Sequence, residues 1–134
     1  MELDTKDLKV LGAVKKGLTT FGGIKNVMNL KKDALVKILD ILDESDLIKS
    51  TTGTGLLGQK KLIIHLTDKG DQKIESYLEI LRKKWREMLD LAIAGERDQL
   101  DQMIKENPFM VNMMVFFKVT DLPTLSRLNL RFLL

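Results

Sequence analysis

Residues 19–70 decide the fold of this chain, and they read TTFGGIKNVMNLKKDALVKILDILDESDLIKSTTGTGLLGQKKLIIHLTDKG. After Thr20, apolar residues recur at helical spacing over a short segment, which predicts a short helix. Residues 30–43 then carry apolar side chains on one face of a second, amphipathic helix, at positions 34, 35, 38, 39 and 42. Asn29 is the expected N-cap of this second helix, so two helices joined by a turn are predicted.

A β-hairpin and a long helix are predicted to follow this helix pair. Residues 47–50 and 61–66 have the composition of strands, and the glycine-rich residues 51–58 form the turn between them. The stretch Leu66-Thr67-Asp68-Lys69-Gly70 then begins a charged helix that we expect to run to Ala94, with Gly95 as its stop. Helix, turn, helix, hairpin and helix, in this order, are the plan of a winged helix-turn-helix domain.

Further helices are expected on both sides of this region. A first helix should begin with Thr5 as its N-cap and end near Gly17. Beyond Gly95, a polar helix over residues 97–106 should end at Asn107-Pro108, before an apolar tail. The fold class predicted is therefore mainly α with a small β-hairpin wing. Residues 1–70 form the predicted DNA-binding domain, and residues 71–134 form a helical dimerisation region.

Composition indicates an ordinary folded protein. The 134 residues are 44% hydrophobic and 31% charged, far from the composition of a disordered chain. The chain contains no cysteine, which excludes disulfides, thiolate metal sites and thiol catalysis. The acidic, polar start lacks the features of a secretory signal, so we expect a cytoplasmic protein.

The net charge of +3 is unevenly distributed along the chain. Residues 1–61 carry 11 Lys and Arg against 8 Asp and Glu, whereas residues 62–134 carry 11 of each. The whole positive excess therefore lies in the half with the helix-turn-helix. A surface that faces the phosphates of a nucleic acid needs such an excess.

The residues expected to contact DNA are chosen by position, because a helix fits the major groove and a β-ribbon can follow the backbone. They are Asn29, Lys31, Lys32, Val36 and Lys37 around the second helix, and Lys49, Thr51, Thr52, Gln59, Lys60 and Lys61 in the wing. Lys15, Lys16 and Lys25 are expected at flanking phosphates. No arginine precedes Arg82, so phosphate contacts should dominate and base discrimination should be modest. The alternative is that these lysines form an ordinary solvated face.

Residues 5–91 resemble the winged-helix regulators of the MarR and PadR type, on the helix pair, the hairpin and the Leu66–Gly70 stretch. In that superfamily, the second wing strand commonly ends in a Leu-Thr-x-x-Gly pattern that starts the next helix. The chain departs from the family pattern in two places, since its wing lacks an arginine near the tip and its tail after Gly95 is unassigned. The resemblance implies a transcriptional regulator that binds double-stranded DNA as a homodimer, with terminal helices at the dimer interface.

The long helix carries a row of apolar side chains, and the tail after Pro108 is apolar as well. Both surfaces must be shielded from water, and we expect a second subunit to cover them. The predicted interface residues are Leu78, Leu81, Trp85, Met88, Phe109, Met113, Phe116 and Phe117. Two alternatives remain for the tail. It could serve as the docking surface of a protein-interaction adaptor through Met110, Met113 and Met114. It could also contact a membrane, although residues 108–119 are too short to span one.

No pattern in the sequence predicts catalysis. His65 is the single histidine, and without a second histidine or a cysteine it cannot complete a metal site. The carboxylates near residues 40–46 have no nucleophile or base arranged beside them, and no phosphate-binding glycine loop occurs. We therefore expect no enzyme, no cofactor and no metal, and the sequence does not identify a small-molecule effector.

Overall fold

The computed structural model describes residues 3–54 and 57–128 of the chain. Within these ranges it contains seven helices and a two-stranded antiparallel sheet. In chain order the elements are α1 (Thr5–Lys15), α2 (Phe21–Met28), α3 (Lys32–Glu44), β1 (Ile48–Thr54), β2 (Lys60–Leu66), α4 (Asp68–Ile93), α5 (Arg97–Glu106), α6 (Met110–Phe116) and α7 (Leu122–Arg127). The predicted fold class is confirmed. Residues 55 and 56 of the predicted turn lie outside the described ranges.

The chain divides into two compact units. The first unit ends at Glu75 and the second begins at Ser76, so the boundary falls inside α4. In the first unit, α1 contacts α2 and α3, and the bases of the two strands close the core against these helices. Its fully buried side chains include Leu11, Ile24, Leu35, Leu42 and Ile64.

The N-cap of the first helix lies one residue before the predicted position. Asp4, and not Thr5, is the N-cap of α1. The Asp4 Oδ1 atom accepts a hydrogen bond from the Asp7 N–H at 2.9 Å, and the Asp7 Oδ2 atom accepts one from the Asp4 N–H at 3.1 Å. This reciprocal pair satisfies two N–H groups that the start of a helix otherwise leaves without partners, which favours Asp4 over Thr5.

The prediction that Asn29 caps the second helix of the pair is wrong. Asn29 is the C-cap of α2, where it adopts a left-handed conformation with φ of 51°. The second helix of the pair, α3, begins at Lys32, and its N-cap Lys31 makes no side-chain capping bond. Asparagine is favoured both at helix starts and at left-handed helix ends, so the sequence alone did not distinguish these two positions.

The wing is longer than predicted and is attached to the helices at its base. Ile48 lies opposite Leu66 in the antiparallel register, and Thr54 lies opposite Lys60. The Ile64 N–H donates to the carbonyl oxygen of Thr19 at 2.7 Å, next to an isolated bridge between Thr20 and Ile63. The connection between α1 and α2 therefore pairs with β2 over a single residue, beside the two strands of the wing.

The predicted start of α4 is confirmed, and the structure explains the Leu66–Gly70 stretch. The Thr67 hydroxyl accepts a hydrogen bond from the Gly70 N–H at 3.0 Å and donates one to the Asp46 carbonyl at 2.6 Å. The Thr67 N–H donates to the Leu47 carbonyl at 3.1 Å. A Cβ atom on Gly70 would lie 1.9 Å from the Leu47 oxygen. Threonine caps the helix, and glycine lets its first turn lie directly on the backbone that leads into β1.

In the second unit the apolar tail forms the core. The side chains of Met88, Leu100, Met113, Met114 and Leu125 are almost completely buried. The Phe117 ring packs edge-on against Tyr77 of α4, with 5.8 Å between ring centroids. The tail therefore covers α4 of its own chain, whereas the apolar pattern predicts contact between the tail and a second subunit.

The same burial argues against a methionine docking surface. Met110, Met113 and Met114 are 7%, 1% and 0% exposed, so a partner protein cannot reach them in this conformation. Among the residues that the structure describes, no helix combines the length and the apolar composition needed to cross a lipid bilayer.

Candidate nucleic-acid interface

Helix α3 packs on the core through its inner face and exposes its outer face to solvent. Leu35, Ile38 and Leu42 are buried at helical spacing, as the sequence predicts. The outer side chains of Lys32, Val36 and Lys37 are exposed, and so are Asn29 and Lys31 just before the helix.

Charge is divided along α3. Its start carries Lys31, Lys32 and Lys37 with one carboxylate, Asp33, whereas its end carries Asp40, Asp43 and Glu44. The N-terminal end of a helix also bears the positive end of the backbone dipole. The first two turns are therefore the part of α3 suited to a polyanion, and the last turn would be repelled by one.

The wing is basic and carries no carboxylate. Lys49, Lys60 and Lys61 are exposed on it, and no Asp or Glu occurs between Asp46 and Asp68 in the sequence. Thr51, Thr52 and Gln59 are exposed as well. Because β1 contacts α3 within the first unit, the lysines of the wing and those of α3 belong to one folded body.

His65 has a structural role in the wing. It lies opposite Lys49 in the strand register, and its Nε2 atom is 2.9 Å from the Thr51 hydroxyl oxygen. On the same sheet face, the Ile63 side chain covers Gly53, where an added Cβ would lie 2.5 Å from the Ile63 Cδ1 atom. These contacts hold the two strands together on the face that carries Thr51.

All eleven residues predicted to contact DNA are exposed in the structure. The flanking lysines behave differently from one another. The Lys15 ammonium forms ion pairs with Asp71 and, at 3.0 Å, with Glu75 of α4. The hydrogen bonds that the Lys15 ammonium donates to these two carboxylates raise the pKa of Lys15 above its ordinary value. Lys15 is therefore a structural cation between α1 and the start of α4, and Lys25 is partly buried.

The eight residues predicted at a dimer interface separate into two groups. Five of them are buried within the chain itself, and they are Leu78, Leu81, Met88, Met113 and Phe117. A partner cannot contact these five in this conformation. Phe109 is 62% exposed, and Trp85 and Phe116 are partly exposed.

The contacts that orient the wing could not be predicted from the sequence. The bonds from Thr67 to Asp46 and from Ile64 to Thr19 join residues far apart in the chain, and no local pattern signals them. The described residues contain no group of three or more His, Cys, Asp or Glu side chains that could hold a metal ion.

Several solved structures of transcriptional regulators are similar to this chain. The chain is similar to a PadR-like transcriptional regulator from Bacillus cereus, with a TM-score of 0.57 and 17% sequence identity, over 64% of this chain and 89% of that one. It is also similar to Lactococcus lactis ZitR, a zinc-responsive MarR family member, in a mutant structure with a TM-score of 0.62 and 17% identity, over 79% and 73% of the two chains. The fold is that of the MarR- and PadR-type winged-helix proteins.

A third neighbour was solved with nucleic acid. Streptococcus pneumoniae FabT in complex with DNA matches this chain with a TM-score of 0.58 and 14% identity, over 78% of each chain. No protein-family model matches the chain, and no curated protein is similar to it in sequence. At these identities, the likeness to the MarR and PadR structures establishes the fold.

Proposed function

We propose that this protein is a transcriptional regulator that binds double-stranded DNA as a homodimer in the cytoplasm. In this proposal residues 1–70 form the DNA-binding domain and residues 71–134 the dimerisation region. The first two turns of α3 enter the major groove, and the wing follows the phosphate backbone. The contacts are made by Asn29, Lys31, Lys32, Val36, Lys37, Lys49, Thr51, Thr52, Gln59, Lys60 and Lys61. The proposal includes no catalytic step, cofactor or metal.

The observation that carries the proposal is the charge pattern of α3 and the wing. Six exposed lysines lie on the start of α3 and on a hairpin that has no carboxylate of its own. The fold adds support, because a neighbour with the same architecture, FabT, was solved in complex with DNA. A β-ribbon without acidic groups can approach the sugar-phosphate backbone without charge repulsion.

Lysine contacts to phosphate make a measurable prediction. Each phosphate contact that is lost should flatten the dependence of log affinity on log salt concentration by about 0.9. Replacing Lys31, Lys32 and Lys37 together by alanine should therefore lower the slope by nearly three for each subunit engaged. Fluorescence anisotropy with labelled duplex fragments at several salt concentrations measures this slope.

A matched variant controls for the change in net charge. Lys73, Lys83 and Lys105 are exposed and lie outside α3 and the wing, so their triple alanine variant loses the same three charges. This control should keep a slope within about one unit of the parent protein. Equal slopes for the two triple variants would place the DNA contacts elsewhere, and the absence of binding at low salt would refute DNA binding itself.

The homodimer would use the apolar side chains that the second unit leaves exposed. Besides Phe109, these include Ile80 at 56% and Ile93 at 81% exposure. Replacing Phe109 by glutamate introduces a charge that a dry interface would have to bury, which weakens association. Analytical ultracentrifugation should show a dimer for the parent chain and a shift toward monomer for the Phe109→Glu variant. A well-folded monomer of the parent chain at micromolar concentration would contradict the dimer.

A further inference from the structure

We infer that Val36 is a specificity-determining residue that packs against the 5-methyl group of thymine in the major groove. The inference rests on the proposed function and names the base that the site prefers. It starts from the composition of the outer face of α3, where Val36 is 40% exposed among charged neighbours.

The helix lacks the side chains that most often read bases by paired hydrogen bonds. Residues 32–44 read KDALVKILDILDE and contain no arginine, asparagine or glutamine. Guanine is commonly read by arginine and adenine by asparagine or glutamine, so these two forms of direct readout are missing from α3. The remaining exposed groups in its first three turns are Lys32, Asp33, Val36, Lys37 and Asp40.

Val36 lies at the middle of this exposed strip. Lys32 and Asp33 precede it by four and three residues and Asp40 follows it by four, so all three are its neighbours on the helix surface. The adjacent Leu35 is fully buried and anchors this turn to the core. Valine in a helix also has one strongly preferred side-chain rotamer. Its two methyl groups therefore point outward at a fixed place on the surface.

Thymine is the base whose methyl group could contact Val36 in the major groove. Thymine alone among the four bases presents a methyl group in the major groove, beside the hydrogen-bond donors and acceptors of the base edges. A valine methyl facing any other base would desolvate polar groups without giving them partners. Burial of one methyl group stabilises a contact enough to change affinity about fourfold.

The test uses uracil, which pairs like thymine and differs from it only by the missing methyl group. A duplex is first enriched from a random-sequence library by repeated binding to the full-length protein. Each thymine in one half of the enriched duplex is then replaced, one at a time, by deoxyuridine. Anisotropy titrations at fixed salt compare the parent protein with the Val36→Ala variant, and circular dichroism checks that the variant is folded.

We expect one or two thymines at which deoxyuridine weakens binding of the parent protein about fourfold. In the Val36→Ala variant the same replacement should have little effect, because the contact is already gone. Val27→Ala is the matched control, since Val27 is a 61% exposed valine on α2, and this variant should keep the full deoxyuridine penalty.

Two results would overturn the inference. One is a parent protein that tolerates deoxyuridine at every position or enriches no sequence at all. The other is a penalty that persists unchanged in Val36→Ala. Salt-dependent binding to DNA in these cases would leave the proposed function intact, whereas a failure to bind duplex DNA at low salt would remove both.

Discussion

Replacing Gly70 by alanine should destabilise the protein, although alanine normally favours a helix. Gly70 lies in the first turn of α4, where an added Cβ would be 1.9 Å from the Leu47 carbonyl oxygen and 2.9 Å from its carbon. Real Cβ atoms essentially never approach other atoms closer than 3.0 Å, so α4 and the backbone that leads into β1 must separate by about 1 Å. Both contacts are backbone atoms and cannot rotate away.

The expected size of the effect combines three contributions. Overpacking of this kind costs about 1–3 kcal/mol. The separation also strains the bonds from Thr67 to Leu47 and Asp46, and each bond contributes about 1 kcal/mol. The higher helix propensity of alanine relative to glycine offsets roughly 1 kcal/mol of this loss. The free energy of unfolding of Gly70→Ala should therefore fall by about 2–4 kcal/mol.

Gly22→Ala is the matched control for this prediction. Gly22 is also helical, but a Cβ there would meet no atom within 4 Å. The substitution should leave stability unchanged or raise it by up to about 1 kcal/mol. Urea denaturation followed by circular dichroism gives both values. A Gly70→Ala variant as stable as Gly22→Ala would refute the account of the Leu66–Gly70 stretch.

Substitutions at three further positions test other parts of the structure. Asn29 has a φ of 51°, so Asn29→Ala should lower the unfolding free energy by about 1 kcal/mol, whereas Asn29→Gly should lower it much less. Thermal unfolding measures both variants. Equal losses would argue against the left-handed C-cap. Burial raises the pKa of Asp7 above 3.8, so the folded state binds a proton more tightly than the unfolded state. As pH falls through the raised pKa toward 3.8, the parent protein should therefore gain stability relative to Asp7→Asn. Urea titrations of both proteins at several pH values measure this gain. A difference in unfolding free energy that does not change with pH would contradict the prediction. Met114 is fully buried, so Met114→Ala should cost about 2–5 kcal/mol in urea denaturation, and a loss below 1 kcal/mol would place it at the surface.

Much of the fold could be predicted from local patterns. The buried face of α3, the start of α4 at Asp68 and the bounds of α5 agree with hydrophobic periodicity and capping signals. The errors lie at two helix caps: Asp4 and Thr5 are neighbouring residues that both suit an N-cap, and Asn29 suits both a helix start and a left-handed helix end. The exposed lysines of the candidate site were also predictable, because a face that is polar at helical spacing points to solvent.

The sequence by itself determined which residues must be covered, and only the tertiary structure decided what covers them. Periodicity marked Leu81, Met88, Met113 and Phe117 as apolar and unfit for water. The hydrophobic effect has no direction, so the pattern did not distinguish a partner subunit from the chain's own tail. The structure buries these residues within the second unit. Gly70 shows the same division, since its place in a helix is local, whereas its need to remain glycine comes from the Leu47 carbonyl packed against it.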